Sequence, residues 1–407
     1  MASPVRFRRV LGLVVALAVA AVAPPAVAAR SDSGAVANCR AVRVPVQLSV
    51  GTRAGLSGEL CSATRAVPAL QRAVQVLVAG TAYGRSYWDF PYQPENYSYV
   101  RAANAAGFAT LNFDRIGIGE SSRPPSPQVT IPSNAETIHQ VIAQLRSGAV
   151  DGITYDHVVL VGHSMGSLMV WYEAAEYRDV DAVISSGILH TFDGPAVARF
   201  GATLYPAALD PRFAGRITDP GYLTTMPGTR AQSFYHLSTA DPRVIEADER
   251  LKETATSFEA ADVFGQEFPG TIGPARDPVC SAAAALCAGV AGTFWYGVTP
   301  KIDVPVLTVV GQYDNLLCGS GQPSRCADLG AIRADEAKYF SGSTRACLVL
   351  AQVLDSGHDL NLHRTAGSWF ALANRWSAFA LGQSRPGSRH DCWGPAAGVD
   401  RGIRFAW

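Results

Sequence analysis

The stretch HVVLVGHSMGSLMVWYEAAEY, residues 157–177, decides the reading of this chain. Its first five residues are a short apolar run rich in β-branched side chains, the pattern of a buried strand. Residues 165–177 follow as a helix. Between them lies Gly162-His163-Ser164-Met165-Gly166, a G-x-S-x-G. A serine lifted out of a sheet on a sharp strand-to-helix turn needs glycine on either side, because the backbone must pack closely there. The helix start also offers a backbone N–H to developing negative charge. The five residues alone are a common accident, but with a strand before and a helix after they mark Ser164 as a nucleophile.

Working outward, strand and helix patterns alternate. Residues 42–50 and 58–64 read as antiparallel strands around a turn at 51–55. Residues 74–79 and 109–113 are short buried strands, separated by a helix over 97–106 that stops at Gly107. A helix over 133–147, a strand over 180–185 and a strand over 304–310 follow. A short helix over 335–340, a strand over 347–354 and a long amphipathic helix over 362–381 complete the pattern. From about 190 to 301 the rhythm stops: prolines and turn signals are frequent, a helix is expected over 243–261, and no clean buried strand is visible. The expectation is an α/β fold with a mostly parallel central sheet, helices on both faces and a cap or lid insertion at about 190–301.

The two ends and the cysteines bear on location. Arg6, Arg8 and Arg9 precede an uncharged apolar run over 10–22, and Ala26-Val27-Ala28 supplies a cleavage-type site. This predicts a signal peptide over 1–28, too short to span a bilayer, and a secreted product over 29–407. Lys and Arg together number 34, as do Asp and Glu. This balance gives no electrostatic case for nucleic acid or anionic membrane. All 8 cysteines lie beyond residue 28, which favours disulfides. Nearest-neighbour pairing gives Cys39–Cys61, Cys280–Cys287, Cys318–Cys326 and Cys347–Cys392. No C-x-x-C spacing suggests a metal or redox centre, and no cofactor is expected.

A serine hydroxyl needs a base to take its proton and a third group to orient that base. Asp314 ends the strand-turn Val310-Gly311-Gln312-Tyr313-Asp314, and His358 lies in Ser356-Gly357-His358-Asp359 after the last strand. Both fall at carboxyl ends of strands, where open α/β sheets carry their sites. The order Ser164, Asp314, His358 makes these the candidate nucleophile, acid and base. His363 is the rival base, but it sits at the start of the predicted last helix. His163 should point away from the nucleophile and pack. Asp303 precedes its strand, and Asp359 is expected to serve the loop turn or cap the next segment. His139, His157, His190, His236 and His390 have no partner pattern.

On these motifs the chain resembles the α/β-hydrolase superfamily over about 42–381. Asp114-Arg115-Ile116-Gly117-Ile118-Gly119-Glu120-Ser121 is similar to the D-R-x-G-x-G-x-S turn of that superfamily; no helix opens there, so the G-x-G is not read as a dinucleotide site. The resemblance implies an oxyanion loop at 79–83, with the backbone N–H groups of Thr81 and Met165 as donors. Here Ala79-Gly80 stands where many relatives have His-Gly. Relatives with an elbow aspartate include epoxide hydrolases; Ser164 favours acyl chemistry instead. The implied substrate is a small-molecule ester or acyl compound, with an exported peptidase or amidase as the rival. A non-catalytic binding protein of the same fold is the remaining alternative. Tyr83, Tyr87, Trp88, Phe90, Tyr92 and Tyr97 are read either as an aromatic wall for an apolar substrate group or as packing. Phe234, Tyr235, Phe294, Trp295 and Tyr296 are candidates for a lid. Glu246, Asp248 and Glu249, which an amino-terminal-binding peptidase would need, read as a solvated helix face.

Overall fold

In the computed structural model, the chain is described over residues 38–264, 292–293, 298–319, 325–341, 344, 348–383 and 402–406, besides Met1. The proposed signal segment, Cys280, Cys287, Cys347, Cys392, His390 and Phe294 to Tyr296 lie outside these residues.

Nine strands make one sheet: β1 (Cys39–Gln47), β2 (Arg53–Cys61), β3 (Ala73–Val78), β4 (Ala109–Phe113), β5 (His157–His163), β6 (Ala182–Ser186), β7 (Val306–Gly311), β8 (Val349–Val353) and β9 (Ile403–Ala406). Their order across the sheet is β1-β2-β4-β3-β5-β6-β7-β8-β9. Strands β3 to β8 run parallel. The edges are antiparallel: β1 and β2 on one side, β9 against β8 on the other. The inner strands are buried along their whole length, as strands covered on both faces must be.

Helices α1 (Tyr99–Ala106), α2 (Ile131–Ser147) and α3 (Met165–Glu176) are joined later in the chain by α4 (Pro242–Leu251), α5 (Ser257–Phe264), α6 (Leu329–Glu336) and α7 (Ala366–Gln383). Alternate strand residues feed two cores. Val74, Val76, Leu160 and Val183 pack with α2 and α3 on one face. Leu77, Val159, Val161 and Ile184 pack with α1 and α7 on the other.

Several expected boundaries move, each for a visible reason. The β1–β2 turn lies at 48–52 rather than 51–55: Gly51 adopts φ 86° and its N–H reaches the Leu48 carbonyl (2.7 Å), while Gly55 joins the strand opposite Pro45. Helix α2 starts two residues earlier than expected. Thr130 is its cap, and Ser133 is the third residue of a reciprocal capping box: Ser133 N–H donates to Thr130 Oγ1 (3.1 Å) and Thr130 N–H to Ser133 Oγ (2.8 Å). The helix expected over 243–261 is two helices, α4 and α5, split by an extended Ala255–Thr256. The hydroxyls of Thr254 and Thr256 bond the carbonyls of Gly117 and Val129, which pulls the chain out of helical conformation. Ala255–Thr256 pairs with Tyr222–Thr225, itself paired with Leu204–Pro206, so the insertion does contain a small sheet. The helix expected over 335–340 starts at Leu329 behind an Asp328 cap and ends in a 3₁₀ turn. Strand β9 had no sequence signal beyond four residues beside the chain end.

Replacing Thr130 by Ala removes half of the capping box. The unfolding free energy should fall by about 1 kcal/mol in urea denaturation, and the activity tested below should not change, because Thr130 is not among the residues lining the cavity at Ser164.

Candidate active site

At the turn from β5 into α3, Ser164 holds φ 52° and ψ −124°, a conformation that side-chain-bearing residues avoid. Close packing enforces it. A Cβ on Gly166 would lie 2.3 Å from the Val78 carbonyl oxygen, and one on Gly162 would lie 2.6 Å from Ser167 Cα. Ser164 N–H donates to the Ser186 carbonyl at 2.8 Å, which ties the turn to β6.

Three side chains from distant parts of the sequence meet here. His358, in the loop after β8, has Nε2 2.9 Å from Ser164 Oγ. Its Nδ1 is 2.8 Å from Asp314 Oδ2. Asp314 is fully buried just beyond β7, and its other oxygen accepts from the N–H groups of Leu316 and Leu317. That leaves Nδ1 as the protonated nitrogen and Nε2 as an acceptor for the serine hydroxyl. Burial pushes the His358 pKa down, but the charge and hydrogen bond of Asp314 outweigh it and the net shift is upward.

Thr81 and Met165 both line a cavity at Ser164 Oγ. Among the described residues, neither backbone N–H has a protein acceptor. Gly80 lies against Ser164: a Cβ on it would come within 3.0 Å of Ser164 Cβ. The loop is held by a residue whose role was not legible in sequence. Arg115, buried, donates from Nε to the Ala79 carbonyl (2.9 Å) and from Nη2 to the Gly80 carbonyl (3.0 Å), and pairs with Glu259 of α5 at 2.6 Å. Turning both carbonyls toward Arg115 leaves the following N–H free to face the cavity. The D-R turn was the signal present in sequence, but nothing there showed where the arginine points.

The cavity is otherwise apolar, lined by Leu168, Ile188, Val197, Phe200, Leu204 and Leu316 among others, and has about 50 Å³ of room for water-sized molecules. The aromatic-wall reading does not hold. Tyr83, Tyr87, Trp88, Phe90 and Tyr97 are buried in the core on the α1–α7 face, and neither they nor Tyr92 line the cavity. Phe234 packs against the His358 ring, centroids 5.7 Å apart.

Two sequence readings are corrected behind the site. Asp359 stands at the cap position of the 360–362 turn, but its side chain caps nothing: it is buried, hydrogen-bonded with Tyr83 Oη, and meets His163 Nε2 at 3.3 Å. Burial, then the nearby Asp248 charge, raises its pKa to about 8. Burial, then His358, holds His163 well below the usual histidine range. The two therefore meet as neutral hydrogen-bonding partners, not as an ion pair. Asp248 is no solvated residue either: it is buried, with two bonds from Arg230 at 2.9 Å and one each from Tyr83 and Tyr235. His163 packs as expected, stacked on Tyr87 at 4.3 Å, and adds a contact to Ser186 Oγ at 3.2 Å. Asp303 is exposed and leads into the opposite end of β7, as expected. His190 is a satisfied core residue between Glu336 and Thr299.

His363 is a loop anchor rather than a rival base. Its Nδ1 donates to the Asp359 carbonyl (2.8 Å), and its Nε2 accepts from Gly357 N–H (3.0 Å) and His236 N–H (3.1 Å). Gly311 lets the His358 loop approach β7 closely, for a Cβ on it would lie 2.0 Å from the Gly357 carbonyl oxygen. Both expected disulfides that fall within the described residues are formed, Cys39–Cys61 and Cys318–Cys326. The second closes a loop that starts where Cys318 N–H bonds the Asp314 carbonyl at 2.7 Å.

The comparisons with known proteins agree with this architecture. A model of the "Alpha/beta hydrolase family" matches residues 75–370, and the chain belongs to that family. Among curated proteins, "Epoxide hydrolase 2" of Siraitia grosvenorii is 33% identical over 69 residues, covering 17% of this chain and 20% of that protein. Among solved structures, the enol-lactonase of Burkholderia xenovorans is 16% identical with a TM-score of 0.46, covering 82% of this chain and 98% of its own. The monoacylglycerol lipase of Paleococcus ferrophilus is 15% identical with a TM-score of 0.46, covering 84% and 99%.

Burial lowers the His363 pKa to about 4, so the fold favours the neutral ring. An unfolded histidine takes up its proton near pH 6.5, so stability falls as pH drops from about 6.5 to about 4, by on the order of 3 kcal/mol for this one group. Urea denaturation at stepped pH should show a shallower loss over that window in His363→Gln than in the wild type.

Proposed function

We propose that this α/β hydrolase is an exported serine esterase, acting on carboxylic esters with a compact apolar acyl or alcohol group. The observation that carries the reading is the unbroken run of hydrogen bonds from Ser164 Oγ through His358 to Asp314, at 2.9 and 2.8 Å. In this proposal His358 Nε2 takes the serine proton as Oγ attacks the ester carbonyl carbon. Asp314 stays charged and stabilises the imidazolium. The backbone N–H groups of Thr81 and Met165, helped by the α3 dipole, hold the oxyanion. Collapse expels the alcohol, which takes its proton from His358. Water, deprotonated by His358, then attacks the acyl-enzyme and releases the acid.

The ester reading is preferred to the peptidase one because, among the described residues, no carboxylate lines the cavity. Glu246 pairs outward with Arg250, Asp248 is occupied by Arg230, and Glu249 accepts the Arg230 N–H. Export rests on the signal-like first 28 residues and accords with the two disulfides.

A fluorophosphonate probe should label the wild type and leave Ser164→Ala unlabelled, with p-nitrophenyl ester turnover in the variant reduced by about 10⁶. An unlabelled wild type would sink the enzyme reading, including Ser164 as nucleophile. The base must be neutral, and Asp314 raises its pKa. The acid limb of kcat/KM should therefore have its midpoint above the ordinary histidine value of about 6.5, with activity rising as pH increases through it.

A further inference from the structure

A second cluster of ionisable groups lies away from Ser164 and takes no part in the proposed reaction. His139 on α2, Glu173 near the end of α3 and Asp179 in the turn leading to β6 each bring one ligand atom to within 4.8 Å of the others. Glu173 is fully buried, and among the described residues its carboxylate oxygens meet no hydrogen-bond partner besides the Asp179 carboxyl beside them. Asp179 Oδ1 is likewise buried and without a partner. His139 Nδ1 meets Asp179 Oδ2 at 2.7 Å, and the imidazole is held flat against Tyr177, centroids 4.0 Å apart. The neighbouring cation, Arg146, directs its guanidinium elsewhere, to the carbonyls of Asp179 and Asp156 and to the Asp181 carboxylate.

Buried carboxylate oxygens are costly unless something positive meets them. A proton shared by Glu173 and Asp179 serves one oxygen pair and leaves a third buried oxygen unserved. Two carboxylates and a neutral imidazole together carry the charge that one divalent cation cancels. One nitrogen and two oxygen donors, with water beside them, are a set that zinc-type ions accept. His139 and Asp179 are 35% and 22% exposed, so the cluster opens to solvent on their side, with Glu173 as its floor.

We propose that His139, Glu173 and Asp179 form a structural site for one divalent cation of the zinc type. It would pin the end of α3, whose first turn carries Ser164, to α2 and to the entry of β6.

The test uses the full-length protein after dialysis against a chelator. Zn²⁺ is titrated calorimetrically and thermal unfolding is followed with and without the ion, for the wild type, Glu173→Gln, His139→Ala and the control His157→Ala. The expected result is one Zn²⁺ per chain and a rise in melting temperature on saturation. Glu173→Gln and His139→Ala should each weaken binding by about ten-fold or more, while His157→Ala binds as the wild type. No stoichiometric binding by the wild type at about 100 μM Zn²⁺ overturns the site, as does unchanged affinity in His139→Ala. Tighter binding of Ca²⁺ than of Zn²⁺ overturns the ion class. If Glu173→Gln does not fold, His139→Ala, on the solvent side, decides alone. Binding is read without turnover, so failure here leaves the serine reading standing, and failure of that reading leaves this one standing.

Discussion

The backbone of α3 passes so close to the end of β3 that Gly166 lies directly against the carbonyl oxygens of Val78 and Ala79. The rest of the site follows from that contact. Because the helix starts there, Ser164 must turn through a left-handed conformation to leave β5, and its hydroxyl is thrust into the cavity. Because β3 ends there, the loop after it must cross over Ser164, bringing Thr81 beside Met165. A side chain at Gly166 would separate the helix from the loop and lose both relations together.

Buried charge pairs then fasten the 190–264 region to this frame. Arg115–Glu259 joins the turn after β4 to α5, and Arg230–Asp248 joins two helices of the insertion beside Tyr83. Such pairs add little net stability over apolar packing, but losing one partner strands a buried charge at about 3–5 kcal/mol. They fix where the insertion sits over the sheet. The Asp359–His163 contact follows a different logic: burial, then the Asp248 charge, raises the Asp359 pKa by more than His358 and Arg230 lower it.

Much of this was legible in the sequence because the sheet is buried on both sides. Runs such as VQVLVA and HVVLV admit few readings, and the elbow and the loops after β7 and β8 then fall at one end of the sheet. What escaped was tertiary in origin. Asp248 sits on a helix whose pattern looks solvated, and only the arrival of Arg230, Tyr83 and Tyr235 buries it. The aromatic cluster after β3 has the composition of a pocket wall, yet helices α1 and α7 cover it. Strand β9 borrows its register from β8 and has no pattern of its own.

That last strand bears on the order of assembly. Ser164 and His358 are separated by 194 residues, and the strand that delivers the histidine is flanked by one drawn from the final residues, Ile403–Ala406. A growing chain therefore carries Ser164 long before the histidine that its hydroxyl meets at 2.9 Å. Contacts of such long range form late and slowly. Until β8 and β9 have formed and paired, His358 has no fixed place beside the Ser164 hydroxyl.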